Sequence, residues 1–202
     1  MTAFRRPALA LAALVALALP AAAQEAISLE TLSRYFNGFE TARAEFTQVN
    51  PDGSVVTGDL YIRRPGRMRF EYDPPEESLV IAGGGQVAIF DARSNQGPTQ
   101  YPLRRTPLNL ILTQNVDLTR ETMVVDHFAE GNTTQVIAQD PENPDYGSLR
   151  LIFTADPTEL RQWIVTDDMG RETTVILQNL RTGVELGPLL FDITAEERAR
   201  EG

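Results

Sequence analysis

Apolar and polar residues alternate along most of this chain, and the alternation breaks only at clusters of turn-forming residues. Ala42 to Val49, Val55 to Arg63, Arg67 to Tyr72, Ser78 to Ala82 and Gln86 to Asp91 carry the period of two expected of half-buried strands. They are separated by Asn50-Pro51-Asp52-Gly53, Pro65-Gly66, Pro74-Pro75 and Gly83-Gly84-Gly85. Short strands joined by tight turns predict an antiparallel meander. Two segments carry the helical period instead. Ser28 is placed to cap a helix running to about Phe36, with Leu29, Leu32 and Phe36 on its apolar stripe. Thr106-Pro107 reads as a cap and first turn, with Leu108, Ile111 and Leu112 on one face of the short helix that follows and Asn115 and Asp117 ending it. The strand pattern then resumes at Thr122 to Ala129, Thr133 to Gln139, Ser148 to Thr154, Leu160 to Thr166 and Glu172 to Asn179, and the charged tail from Thr194 predicts a frayed helix.

About ten strands and two short helices make a mainly β fold. A large antiparallel sheet curled on itself has a concave apolar face, and the two apolar-striped helices are enough to cover it. Phe46, Leu60, Ile62, Met68, Phe70, Tyr72, Val87 with Ile89 (or else Phe90), Leu151, Phe153, Trp163 and Val165 supply that face. Each of them taken singly reads as an ordinary core residue.

One residue departs from the pattern. Leu60, Ile62 and Arg64 share a strand face, while Asp59, Tyr61 and Arg63 point the other way, so Arg64 brings a guanidinium to an apolar surface. Burying that charge is costly unless it is paired or hydrogen-bonded. Arg64 is therefore either permanently paired, with Asp59 or Glu71 as partner, or part of a switch.

The first 23 residues predict a cleaved secretory signal peptide: Arg5 and Arg6, an apolar run from Ala8 to Leu19, then Ala21 and Ala23 ahead of the cut. That run is shorter than the roughly 18 apolar residues of a spanning helix, so a mature domain of residues 24–202, exported and not membrane-inserted, is expected. Removing the signal takes two arginines and no acid, and the net charge moves from −10 to −12. So acidic a chain is a poor match for nucleic acid, whose binding needs clustered cations. There is no cysteine. The chain is long enough to fold without disulfides, and it offers neither thiol chemistry nor a site for N-terminal lipidation.

Catalytic and metal chemistry has little to work with. His127 is the sole histidine, which makes a zinc site or a Ser-His-Asp triad a poor reading. Glu76-Glu77, Asp167-Asp168 and Glu196-Glu197 are adjacent acids whose side chains diverge, so they read as solvated charge. Gly83-Gly84-Gly85 joins two strands with no helix behind it and reads as a hairpin, not a phosphate loop. Binding without catalysis, metal or cofactor is the expectation.

Several segments, in order, resemble the periplasmic outer-membrane lipoprotein carrier family, LolA. Ala44-Glu45-Phe46-Thr47-Gln48 is similar to the family's first strand. Gly58-Asp59-Leu60-Tyr61-Ile62-Arg63-Arg64-Pro65-Gly66 is similar to its Gly-x-Leu-x-hydrophobic-x-Arg-Pro segment. Arg69-Phe70-Glu71-Tyr72-Asp73-Pro74-Pro75 resembles the continuation, and Thr106 to Leu112 the mid-chain lid helix. The resemblance implies an incomplete, unclosed antiparallel β-barrel with an α-helical lid over a hydrophobic cavity. It implies a monomeric chaperone that accepts triacylated lipoproteins from an inner-membrane ABC-type release complex and passes them to an outer-membrane lipoprotein receptor. It also implies that Arg64 latches the lid through main-chain carbonyls, and that acyl chains contact Phe36, Phe46, Leu60, Ile62, Met68, Phe70, Phe90, Leu108, Ile111, Leu112 and Trp163. The missing lipidation cysteine favours the carrier over the anchored receptor, LolB. A shuttle or sensor of the same fold for another lipid or glycolipid is the alternative, and a periplasmic hydrolase is a weaker one.

Overall fold

The computed structural model describes residues 25–201 except 95, 121 and 122, so the predicted signal peptide lies outside the described residues. Helix α1 (Leu29–Asn37) leads into strands β1 (Thr41–Val49), β2 (Val55–Arg63), β3 (Arg67–Tyr72), β4 (Leu79–Gly83), β5 (Gln86–Phe90) and β6 (Thr99–Pro102). A 3-10 turn at Leu103–Arg105 and helix α2 (Asn109–Leu112) cross to strands β7 (Val124–Glu130), β8 (Thr133–Gln139), β9 (Ser148–Ala155), β10 (Thr158–Thr166) and β11 (Glu172–Thr182). A second and a third 3-10 turn lie at Pro144–Tyr146 and Pro188–Phe191, and helix α3 (Ile193–Glu201) is the last element of the described residues.

All eleven strands form one antiparallel sheet in the order β6-β5-β4-β3-β2-β1-β11-β10-β9-β8-β7. The first and last strands of the sequence are thus joined in the middle, where β1 pairs β11, while β6 and β7 are the edges of the sheet. The mainly β, unclosed barrel expected from the sequence is the fold observed.

Register explains how one face becomes apolar. Directly paired residues point the same way, and the pairs Ala44 with Leu60, Leu60 with Phe70, Phe70 with Val80, and Val80 with Ile89 carry one row across five strands. On the other half, Phe46 pairs Leu177, Trp163 pairs both Val175 and Leu151, and Leu151 pairs Val136. All of these residues except Ile89, together with the inward sides of α1 and the α2 region, form the main core or pack against it. Trp163, Phe153 and Leu60 are completely buried in it. Gly58 belongs to the same face: a Cβ there would collide with the Glu71 carbonyl and crowd the Phe46 ring.

Four expectations need correction. Thr106 does not cap α2; its hydroxyl donates to the Leu103 carbonyl at 2.9 Å and closes the preceding 3-10 turn, and α2 is a single turn ending at Leu112, ahead of Asn115 and Asp117. Strand β6 was not expected, because Thr99-Gln100-Tyr101-Pro102 is polar and ends in proline, which only an edge strand accommodates. The charged tail is an ordered helix: with the turn before it, α3 covers a second apolar cluster of Leu79, Ile81, Ala88 and Phe90 on the outer face, where Ile193 packs. Arg69 fastens this cover through the Leu190 carbonyl at 3.1 Å and Glu196 at 3.2 Å. Phe90, finally, belongs to that outer cluster and not to the concave face. Beta-strand alternation allows either Val87 with Ile89 or Ala88 with Phe90 to face inward, and the pairing of Val80 with Ile89 selects the first set.

Candidate functional site

The concave face is covered at one end by α1 and the chain around α2. Serine 28 caps α1 by accepting from Thr31 N at 3.3 Å, and Leu32 and Phe36 point from the helix into the sheet. Phe36 meets Phe153 edge-on at 5.8 Å, and the Tyr35 hydroxyl accepts from Leu160 N at 3.2 Å. Burial is the main cause raising the Tyr35 pKa above its ordinary value. The segment before the helix is tied to the far edge of the sheet: Ile27 N donates to Thr134 Oγ1 at 2.9 Å, and His127 Nε2 meets the Ile27 carbonyl at 2.9 Å. Ile111 and Leu112, on α2, and Val116 and Leu118 beyond it are buried in the same core.

Arg64 stands where these parts converge, as the first residue of the β2–β3 turn and 6% exposed. Its Nη1 donates to the Phe36 carbonyl at the end of α1. Its Nη2 donates at 3.1 Å both to Asn37 Oδ1 and to the Gln114 carbonyl just past α2. The end of a helix carries unpaired carbonyls and partial negative charge, which suits a guanidinium. Burial lowers the Arg64 pKa from its ordinary value, with the Glu40 charge opposing the shift. An arginine still keeps its proton under such a shift. Neither acid considered from the sequence reaches it: Asp59 pairs with Arg43 at 3.1 Å and Glu71 with Arg69. Nε of Arg64 is buried without a hydrogen-bond partner, and Phe39 lies 5.9 Å from the guanidinium carbon.

Of the eleven apolar residues singled out in the sequence, ten lie in or against the main core and Phe90 lies on the opposite face. Leu108 is half-buried at its margin. Phe46, Phe70, Tyr72 and Trp163 form an aromatic group in which Phe46 meets Phe70 edge-to-face at 5.2 Å, Phe70 meets Trp163 edge-to-face at 6.3 Å, and Phe70 stacks on Tyr72 at 6.4 Å. The Tyr72 hydroxyl donates to Gln48 Oε1 at 2.9 Å, and burial pushes its pKa up to about 12.

Away from α1 the concave face reaches the surface in two clefts that share Val80. One, of about 700 Å³, runs past Gln48, Val56, Tyr72 and Ile89. The other, of about 380 Å³, lies among Val87, Tyr101, Leu108, Tyr146 and Val165, with Arg105, Asp145, Asp167 and Asp168 at its rim. Sequence reasoning missed Val80 and Tyr101. Val80 sits in the run Leu79-Val80-Ile81-Ala82, which is apolar on both faces and hides the alternation, and Tyr101 belongs to the strand that was not expected. Among the described residues no three His, Asp or Glu side chains converge as metal ligands, and no helix is long and apolar enough to cross a membrane.

An uncurled-edge antiparallel sheet whose apolar concavity is covered by helices, with one buried guanidinium joining cover to sheet, defines an open half-barrel class of β protein. The chain belongs to the family described as outer membrane lipoprotein carrier protein LolA, whose sequence profile matches residues 37–194. Proteins named outer-membrane lipoprotein carrier protein are similar to it over most of its length. The one from Pseudomonas aeruginosa is 28% identical, with 84% of each chain covered. Those from Azotobacter vinelandii and Methylococcus capsulatus are each 26% identical, covering 91% and 81% of each chain respectively. A solved structure of a putative outer membrane lipoprotein-sorting protein domain from Vibrio parahaemolyticus superposes with a TM-score of 0.50 at 10% identity, covering 84% of this chain and 97% of that one, a likeness of fold alone.

Proposed function

We propose that residues 24–202 form one periplasmic carrier domain that takes triacylated lipoproteins from an inner-membrane ABC-type release complex and delivers them to an outer-membrane receptor. Acyl chains would lie against the concave face, reaching Phe46, Leu60, Ile62, Met68, Phe70 and Trp163 when α1 and the α2 region lift away and carry Phe36, Leu108, Ile111 and Leu112 with them. The carrier role agrees with family membership.

Energetics explains why such a device is needed. A buried methylene is worth about 0.8 kcal/mol, so drawing one acyl chain of about 16 carbons from a bilayer costs on the order of 12 kcal/mol. Three chains need an apolar refuge of their own and energy from outside to load it. In the closed protein that face is already satisfied by its cover, so loading must first break the cover's bonds.

The observation that carries this reading is the bonding of Arg64. Its partners are two main-chain carbonyls and one amide oxygen on the cover, and no carboxylate. Such bonds are strong enough to hold the cover and can be given up without stranding a buried anion. A closed state favoured by these bonds makes bound lipid easier to give away, because release regains them. Incubating the mature protein with spheroplasts and examining the released fraction by native mass spectrometry tests the proposal. Soluble one-to-one complexes with triacylated lipoprotein are expected; free lipid alone as the bound species would overturn it.

A further inference from the structure

Two pieces of chain far apart in sequence make up the cover, and their attachment to each other is more specific than shared burial. Ser33 and Asn37 lie four residues apart on one side of α1. Ser33 Oγ accepts from Leu118 N at 2.9 Å while donating to the Leu29 carbonyl at 2.7 Å. Asn37 makes a paired contact: Oδ1 accepts from Val116 N at 2.9 Å, and Nδ2 donates to the Val116 carbonyl at 2.8 Å. The side chain of Asn37 thus occupies the place of a neighbouring strand's peptide group. Residues 113–120 have no strand beside them, and α1 supplies the missing partners.

The match is geometric. Four residues of α-helix advance about 6 Å, and two residues of extended chain advance about 6.6 Å, so side chains at i and i+4 meet alternate peptides of a segment running antiparallel to the helix. Val116 and Leu118, the residues met, bury their own side chains in the main core at 1% and 0% exposure. Asn37 Oδ1 also receives Arg64 Nη2, which itself reaches the Gln114 carbonyl. Asn37 is therefore bonded to the segment of residues 113–120 and to the guanidinium that ties that segment to the sheet.

From this we infer that Ser33 and Asn37 are positioning residues that rivet α1 to the segment after α2, so that the two parts of the cover open as one body. The inference rests on the carrier reading only for its use: a single-body cover exposes the whole concave face in one step and releases all of the Arg64 bonds together. A cover that peeled off α1 first would uncover Phe153 and Leu160 and leave the α2 side shut.

Hydrogen exchange on the mature protein, without cargo, tests the coupling separately from the carrier function. The readout is the amides of α1 and of residues 109–114, none of which is a direct partner of the two side chains. In the parent protein both sets are expected to exchange through a common opening, and Arg64→Ala is expected to accelerate both by the same factor. In Ser33→Ala/Asn37→Ala the α1 amides should exchange at least about tenfold faster than those of residues 109–114, the loss expected for roughly one net hydrogen bond. Ser33→Thr, which keeps the hydroxyl, should retain common exchange when Asn37 is intact. Separate exchange of the two sets in the parent protein, or common exchange surviving in the double variant, would overturn the inference. Failure of lipoprotein to bind would leave these rates unchanged and count only against the carrier reading.

Discussion

Arg64 donates to the main-chain carbonyl of Gln114 at 3.1 Å, across fifty residues of sequence and between two separate elements of the fold. Together with its bonds to Phe36 and Asn37 this makes the guanidinium the link between the β2–β3 turn and both halves of the cover. Hydrogen bonds from a charged donor are worth about 1.5–3 kcal/mol each. Arg64→Leu is expected to fold, to acquire lipoprotein, and to transfer it to the receptor at least about tenfold more slowly, because release no longer regains those bonds. A reconstituted two-step transfer assay measures both stages, and normal delivery by this variant would remove Arg64 from the mechanism.

Val80 and Phe90 sit on adjacent paired strands but face opposite sides of the sheet, which separates binding from stability. Val80 is half-buried where the two clefts meet, so Val80→Glu should keep the fold and reduce loading, since a carboxylate in the acyl path loses hydration. Phe90→Ala should leave loading intact while costing about 3–5 kcal/mol of stability, the usual range for a buried phenylalanine. Lipoprotein loading and denaturant unfolding, measured on both variants, check the pair.

Gly58 has no room for a side chain, because the Glu71 carbonyl and Phe46 ring occupy it. Gly58→Ala must part β2 from β3 or displace the aromatic group, and overpacking of this kind costs about 1–3 kcal/mol. The unfolding midpoint should fall accordingly, with the far-UV spectrum of the folded protein retained.

Helix α3 should come loose in acid before the main sheet does. Burial by itself would raise the Glu196 pKa, but Arg200 and Arg69 outweigh it and hold the carboxyl below its ordinary value. A carboxyl with a lowered folded pKa contributes stability that is complete above its unfolded value, about 4.3, and that is lost as pH falls through the folded value. Amide protection in residues 193–200, measured relative to intrinsic exchange at each pH, should therefore fall below about pH 4.3, ahead of protection in β1 and β2, and Glu196→Gln should flatten that dependence.

Much of the sheet was legible because alternation of period two is a local property. Val55 to Arg63, Arg67 to Tyr72 and Thr133 to Gln139 have the bounds that the pattern gives them. Arg64 was legible as an anomaly for the same reason, a charge in phase with Leu60 and Ile62. What local pattern could not supply was any choice between equivalent faces. Ala88 with Phe90 alternates as well as Val87 with Ile89, and only pairing to β4 decides between them.

The amino-acid sequence by itself determined the strand periods, the turn positions, the two apolar-striped helical segments and the odd placement of one arginine, since each depends on residues a few positions apart. Tertiary structure alone decided that β1 and β11 meet in the middle of the sheet, that α3 roofs a second apolar cluster, and that Arg64 bonds to carbonyls instead of Asp59 or Glu71. Main-chain carbonyls are present at every position, so sequence cannot mark which of them remain unpaired. That depends on where helices end in space, and at Phe36 and Gln114 two such ends fall within reach of one guanidinium.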